Sequence, residues 1–151
     1  MGKLISSIFL LNTLYSFGQY EFKAYEEAIK SIKVSSIFVS YCQQAGITNK
    51  VNVSTKTFSN CNSFIETEIQ KEVWDYCFEN NITNKDQNHR ELKKLCEKRN
   101  SPLLIRFSEI SAGYFIGIVS IENRNSFLRF IFKFVNGKLE FADGNFWTRS
   151  H

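Results

Sequence analysis

Positions Phe22, Tyr25, Ile29, Ile32, Ser36 and Val39 recur at intervals of three and four, the repeat of a single helical face. Val34, Ile37, Phe38 and Tyr41 widen that surface toward its C-terminal end. The pattern predicts one long helix over Tyr20–Ala45, with its second half buried on two sides. Gly46 suits its end, because a residue without Cβ takes positive φ at no steric cost. Val51–Phe58, VNVSTKTF, alternates and is rich in β-branched residues, which predicts a short strand. Ser63-Phe-Ile-Glu66 is a capping box: the serine hydroxyl takes a free N–H and the glutamate returns to the serine amide. It opens a second helix running to Asn80, with Ile65, Ile69, Val73, Tyr76 and Cys77 along one side. Thr83–Asp86 is a weaker copy of that signal and predicts a third helix with Leu92, Leu95, Cys96 and Arg99 on its face. Pro102 forces Ser101 out of helical geometry and closes it.

Beyond Pro102 the period changes to two. Leu103–Ile110 alternates, Tyr114–Ile121 is nearly all apolar and reads as a central strand, and Phe127–Val135 follows the polar tip Glu122–Ser126. Asn136-Gly137 is a two-residue hairpin turn, since both residues tolerate the positive φ of a type I′ turn. That turn sets a register: Val135 opposite Lys138, Phe134 opposite Leu139, Lys133 opposite Glu140 and Phe132 opposite Phe141. Apolar partners then share one face and opposite charges the other, and a slip of one residue would scramble both. Asp143-Gly144 predicts a further turn, after which Phe146-Trp147 anchors the C-terminus.

Helices first and strands later is the α+β order. The expectation is three helices followed by a four- to five-stranded antiparallel meander, with the helices packed on one sheet face. In element order this is similar to cystatin-like folds and to the cone-shaped nuclear-transport-factor-like fold.

The N-terminus changes where this domain is expected to work. Lys3 is the only charge in residues 1–18, an apolar run spans Leu4–Phe17, and Ser16 and Gly18 stand at −3 and −1 of a cut before Gln19. That is the layout of a secretory signal peptide, and the run is too short and too polar to span a bilayer. The Gly-Gln junction resembles signal-peptide ends of Gram-negative bacteria. Residues 19–151 then form one α+β domain, exported to the periplasm or the extracellular space, with no membrane span in the mature chain. Export turns Cys42, Cys61, Cys77 and Cys96 into a disulfide question. Zinc held by these cysteines lacks the usual close Cys pairs. If helices two and three form an antiparallel hairpin, Cys96 meets the start of helix two, which pairs Cys61 with Cys96 and leaves Cys42 with Cys77.

A net charge of +4, with acidic residues interleaved among the basic ones, gives no basic face for nucleic acid. Fifteen phenylalanines and one proline argue for a large aromatic core and against disorder. Catalytic signatures are thin. His89 reads as a helix-face histidine and His151 is the last residue; no G-x-S-x-G, phosphate loop or dinucleotide fingerprint accompanies them. Glu68, Glu72 and Asp75 read as a solvated stripe on helix two. No metal or other cofactor is expected. The remaining candidate is a surface: Phe127, Arg129, Ile131, Lys133 and Val135 on the second sheet face, with Trp147. The sequence therefore predicts a small exported, non-catalytic binding protein. Its ligand is an envelope or extracellular protein, or a small apolar molecule held by the aromatic-rich sheet. The alternatives are an exported hydrolase using carboxylates on a sugar or peptide, and an inhibitor or immunity-type partner.

Overall fold

The computed structural model describes residues 19–61, 67–83 and 85–148. The expected signal peptide, the capping box at Ser63–Glu66 and His151 lie outside the described residues. Within them the chain is α+β. Residues 19–34 form α1, followed by α2 (Ser36–Ala45), β1 (Asn52–Val53), β2 (Lys56–Thr57), α3 (Thr67–Glu79), β3 (Gln87–Asn88), a 3-10 helix at Arg90–Leu95, and strands β4 (Leu103–Phe107), β5 (Tyr114–Ile121), β6 (Ser126–Val135) and β7 (Lys138–Thr148). The main sheet has the order β1-β4-β5-β6-β7. All its pairs are antiparallel except β1–β4, and β2 and β3 form a separate two-stranded ribbon.

The long first helix is broken at Ser35. Its hydroxyl donates to the Ile32 carbonyl (2.7 Å) and accepts from the Phe38 amide, so a serine inside the predicted helix acts as the N-cap of a new one. The break resets the helical phase. Tyr25, Ala28 and Ile32 are buried before it, and Phe38, Tyr41 and Cys42 after it. Continuing the original face would have buried Ser36 and Val39, which are exposed, and Val34 is 82% exposed. Gly46 ends α2 at φ 65°.

The helices do not share one sheet face. Residues of α1 and α2 pack with Leu103, Ile105, Phe107, Phe115, Val119, Leu128, Phe130 and Phe132 on one side. Cys61, Val73 and Cys77 pack with Ile116 and Ile131 on the other, so α3 covers the second face. The expectation that one face is left bare is corrected accordingly.

The third helix is also corrected. His89 donates its amide to the Thr55 carbonyl (2.7 Å), and Glu97 and Lys98 both donate theirs to Val51 (3.0 and 3.1 Å). Backbone groups that a longer helix would use are taken by the edge around β1, so only the 3-10 helix forms, with Leu92 buried beneath it. This removes the hairpin of helices on which the cysteine pairing rested. The observed disulfide is Cys61–Cys77, sixteen residues apart. Cys96 lies at the β1 edge, its thiol 3.3 Å from the Asn52 side-chain oxygen, and Cys42 is on the buried face of α2. The expected pairs Cys61–Cys96 and Cys42–Cys77 are not formed.

The β6–β7 hairpin has the predicted register at every one of its first four pairs, and Asn136 and Gly137 carry φ of 50° and 75°. The turn expected at Asp143-Gly144 is instead strand. Ala142 is an extra residue in β7, because Phe132 faces Phe141 while Ile131 faces Asp143. This bulge lets Leu139 and Phe141 before it and Gly144 and Phe146 after it point to the same face. A Cβ on Gly144 would stand 2.8 Å from the Phe141 ring tip and 3.2 Å from Phe130, so glycine serves a close approach here.

Glu97 ties three segments together: it accepts from Lys33 of α1 (2.5 Å) and from the Val51 amide (3.1 Å). Burial pushes its carboxyl upward, but the Lys33 hydrogen bond, the Val51 amide and the charges of Lys33 and Lys50 outweigh it and hold the group below its ordinary 4.5. A carboxyl lowered by folding stabilises above its unfolded pKa and loses that contribution as pH falls through the folded one. Glu97→Gln should therefore lower stability at neutral pH by under about 1 kcal/mol, given solvent screening. Urea midpoints of the two proteins should converge as pH falls below 4.5. A constant gap down to low pH would remove Glu97 from the acid response.

Candidate functional site

The six residues of the predicted surface are placed as follows. Arg129 pairs across the strands with Ile118 and Asn145, and Ile131 with Ile116 and Asp143. Ile131 is 1% exposed beneath α3, and Arg129 is 5% exposed with its guanidinium carbon 5.0 Å from the Trp147 ring centre. Phe127, Lys133, Val135 and Trp147 are half-buried, and Lys133 lies 4.0 Å from Glu140. The structure thus gathers the six on one face but closes its middle.

The opposite face offers an opening instead. Phe146 projects beside Leu128 toward α2 and is 53% exposed. With Ile37, Ser40, Tyr41 and Gln44 it lines an open pocket of about 280 Å³ between α2 and β7. Tyr41 is fixed there by donating to the Ser126 carbonyl (2.7 Å), and its ring meets Phe146 edge-on at 6.1 Å.

A third location brings charged chemistry together. Glu21 lies in the first described turn of α1, His89 precedes the 3-10 helix and Glu109 follows β4. One donor atom from each lies within 4.8 Å of the others. His89 Nε2 is 3.1 Å from Glu109 Oε1, and the Thr57 hydroxyl donates to the same oxygen. The scaffold beneath is rigid. The Glu109 amide donates to the Phe58 carbonyl (2.8 Å), and Tyr25, one turn after Glu21, is buried with its hydroxyl donating to the Ser108 carbonyl (2.9 Å). That bond fixes the helix over the end of β4, and the four-residue spacing places Glu21 over the same spot.

The electrostatics follow from this crowding. Burial pushes the Glu21 carboxyl up, the Glu109 charge adds to it and His89 opposes. The hydrogen bond to Glu109 raises the His89 imidazole against its burial, and the charges of Glu109, Glu21 and Glu91 add to the rise. Tyr25 is pushed well above its ordinary value, first by burial and then by the two carboxylates. One imidazole and two carboxylates suit proton sharing or a divalent cation.

No protein family, curated protein or solved structure matches this chain. The geometry alone carries the functional argument. Sequence reasoning placed His89 on a helix face and did not single out Glu21 or Glu109. Three residues of ordinary type, 68 and 20 positions apart, make no motif; only the packing of α1 across β4 and the ribbon of β2 with β3 unites them. Glu68, Glu72 and Asp75 are all exposed on α3, as the solvated stripe predicts.

Proposed function

We propose that this chain is an exported, non-catalytic binding protein that engages another protein of the envelope or extracellular space at the α2–β7 edge of its sheet. Phe146 carries this reading. It stands half in solvent on the outermost strand, beside a pocket with apolar walls and the polar side chains of Ser40 and Gln44 at hand. A partner segment running along an open strand gains backbone hydrogen bonds, and a neighbouring pocket that takes one apolar side chain supplies selectivity. The pocket volume is near the lower end for small ligands, which suits a side chain better than a free molecule. Export is supported by the Cys61–Cys77 bond, since such bonds persist in oxidising compartments. Among the described residues no helix is long and apolar enough to cross a membrane. For the finer fold we favour the cystatin-like or nuclear-transport-factor-like group, on element order. An inhibitor or immunity role would differ only in the identity of the partner. A carboxylate hydrolase would need a carboxyl of raised pKa such as Glu21, but Glu109 beside it is engaged with both Thr57 and His89.

A photoreactive phenylalanine analogue in place of Phe146, in secreting cells, should give one discrete crosslinked product. Ile37→Asp, which puts a charge into the pocket wall, should abolish it. The same analogue at Phe78, exposed on α3, should not give that product. No crosslink at position 146, or the same product from both positions, would overturn the reading.

A further inference from the structure

We propose that Glu21, His89 and Glu109 together hold a divalent cation of the zinc class, with Thr57 positioning Glu109. This site shares no residue with the α2–β7 pocket and is independent of it.

The donor set is mixed, one imidazole nitrogen and two carboxylates, which is what separates it from an ordinary acidic patch. Imidazole suits zinc and its first-row neighbours and is a poor partner for magnesium or calcium. Three protein donors leave a fourth position for water or for a group on another molecule. Distances fit this use. Two donors bound to one tetrahedral zinc at 2.0–2.1 Å stand about 3.3 Å apart. His89 Nε2 and Glu109 Oε1 are 3.1 Å apart, and the Glu21 oxygen lies within 4.8 Å of both. A side-chain shift of about 1–2 Å by Glu21 completes a first-coordination triangle of that size.

The supporting contacts are those a metal site requires. Orienting bonds to the ligands hold their geometry, and Thr57, itself fully buried, donates to Glu109. The backbones of His89 and Glu109 are both fastened to the Thr55–Phe58 segment, through the Thr55 and Phe58 carbonyls. Glu21 is fastened by Tyr25 through Ser108. Two carboxylates close together repel one another, and one imidazole offsets at most one of their charges; a dication balances both. On binding, the ion replaces whatever proton His89 Nε2 shares with Glu109, and that proton passes to the buffer.

The test is calorimetric titration of the chelator-stripped full chain with zinc chloride. One equivalent should bind, and the thermal midpoint should rise with zinc concentration. His89→Gln and Glu21→Gln should each weaken binding by about 100-fold or more, and Thr57→Val by about 10-fold, the range measured for ligand-orienting residues. Each variant should keep the wild-type circular dichroism without zinc, which separates lost binding from lost folding. His151→Gln and Cys96→Ser should bind zinc as the wild type does. No zinc uptake by the wild type, undiminished binding by His89→Gln with Glu21→Gln, or loss on His151→Gln or Cys96→Ser would overturn the assignment. None of these outcomes bears on the crosslink at Phe146.

Discussion

Phe115→Ala is expected to cost about 3–5 kcal/mol, the range for removing a buried aromatic ring. With a urea m-value of about 1–2 kcal/mol/M, the denaturation midpoint should fall by about 1.5 M or more. Phe115 is fully buried at the centre of a ring network. It stacks on Phe132 at 5.0 Å and meets Tyr25 edge-on at 5.3 Å and Phe107 at 6.0 Å. Tyr25 in turn stacks on Phe107 at 4.7 Å and reaches the Ser108 carbonyl. The ring therefore joins sheet to helix, and a void at this position has rigid strands on one side and α1 on the other. Partial collapse would tilt Tyr25 and disturb Glu21, so zinc uptake should weaken in this variant along with stability. Phe141→Ala gives the contrast. Its ring lies 5.9 Å from both Phe130 and Phe132 but is exposed, so its removal should cost under about 1.5 kcal/mol. Equal costs at the two positions would contradict the placement of the core.

Local rules reached some elements and stopped at others for identifiable reasons. The Asn136-Gly137 hairpin was legible because its register is fixed by a two-residue turn and checked by eight flanking side chains. β5 was legible because a strand covered on both faces is apolar throughout. Ser35 was not, since a serine on a helical surface and a serine capping a new helix look alike until the phase of burial is known. The segment 83–99 misled because its capping signal and leucine spacing are helical, while its amides are claimed by carbonyls on the distant β1 edge. Gly144 carries a turn signature next to Asp143, yet it pairs with Phe130 in a strand, where the Phe130 and Phe141 rings leave no room for a Cβ. At Ser35 one local preference, capping, overrides another, whereas at 83–99 a long-range contact overrides a local preference. The Glu21–His89–Glu109 site is the same case in chemical form. Its members lie on three segments that each have a plain local reading, and the disulfide partner was misjudged because it depended on the segment 83–99.

Removing the Cys61–Cys77 bond should cost about 3 kcal/mol, the loop-closure value for a separation near fifteen residues. Both sulfurs are buried against Val73, Ile116 and Ile131, so the bond also seals α3 onto the second sheet face. Cys61→Ala/Cys77→Ala should lower the urea midpoint, and reductant should lower the wild-type midpoint to a similar extent while leaving the double variant unmoved. Amide exchange should show where the effect falls. Protection in α3 should drop first, since the β5 and β6 residues beneath it are also held from the other side by α1. Without reductant the native protein should react with one equivalent of alkylating agent, at the half-buried Cys96. Two equivalents should react after unfolding, because Cys42 is buried and its thiol is pushed up chiefly by burial, against a lowering by Lys33. A Cys61 that alkylates in the native state, or a midpoint insensitive to reductant, would mean that α3 is held to the sheet by packing alone, and that the second face opens more easily than its buried Ile131 implies.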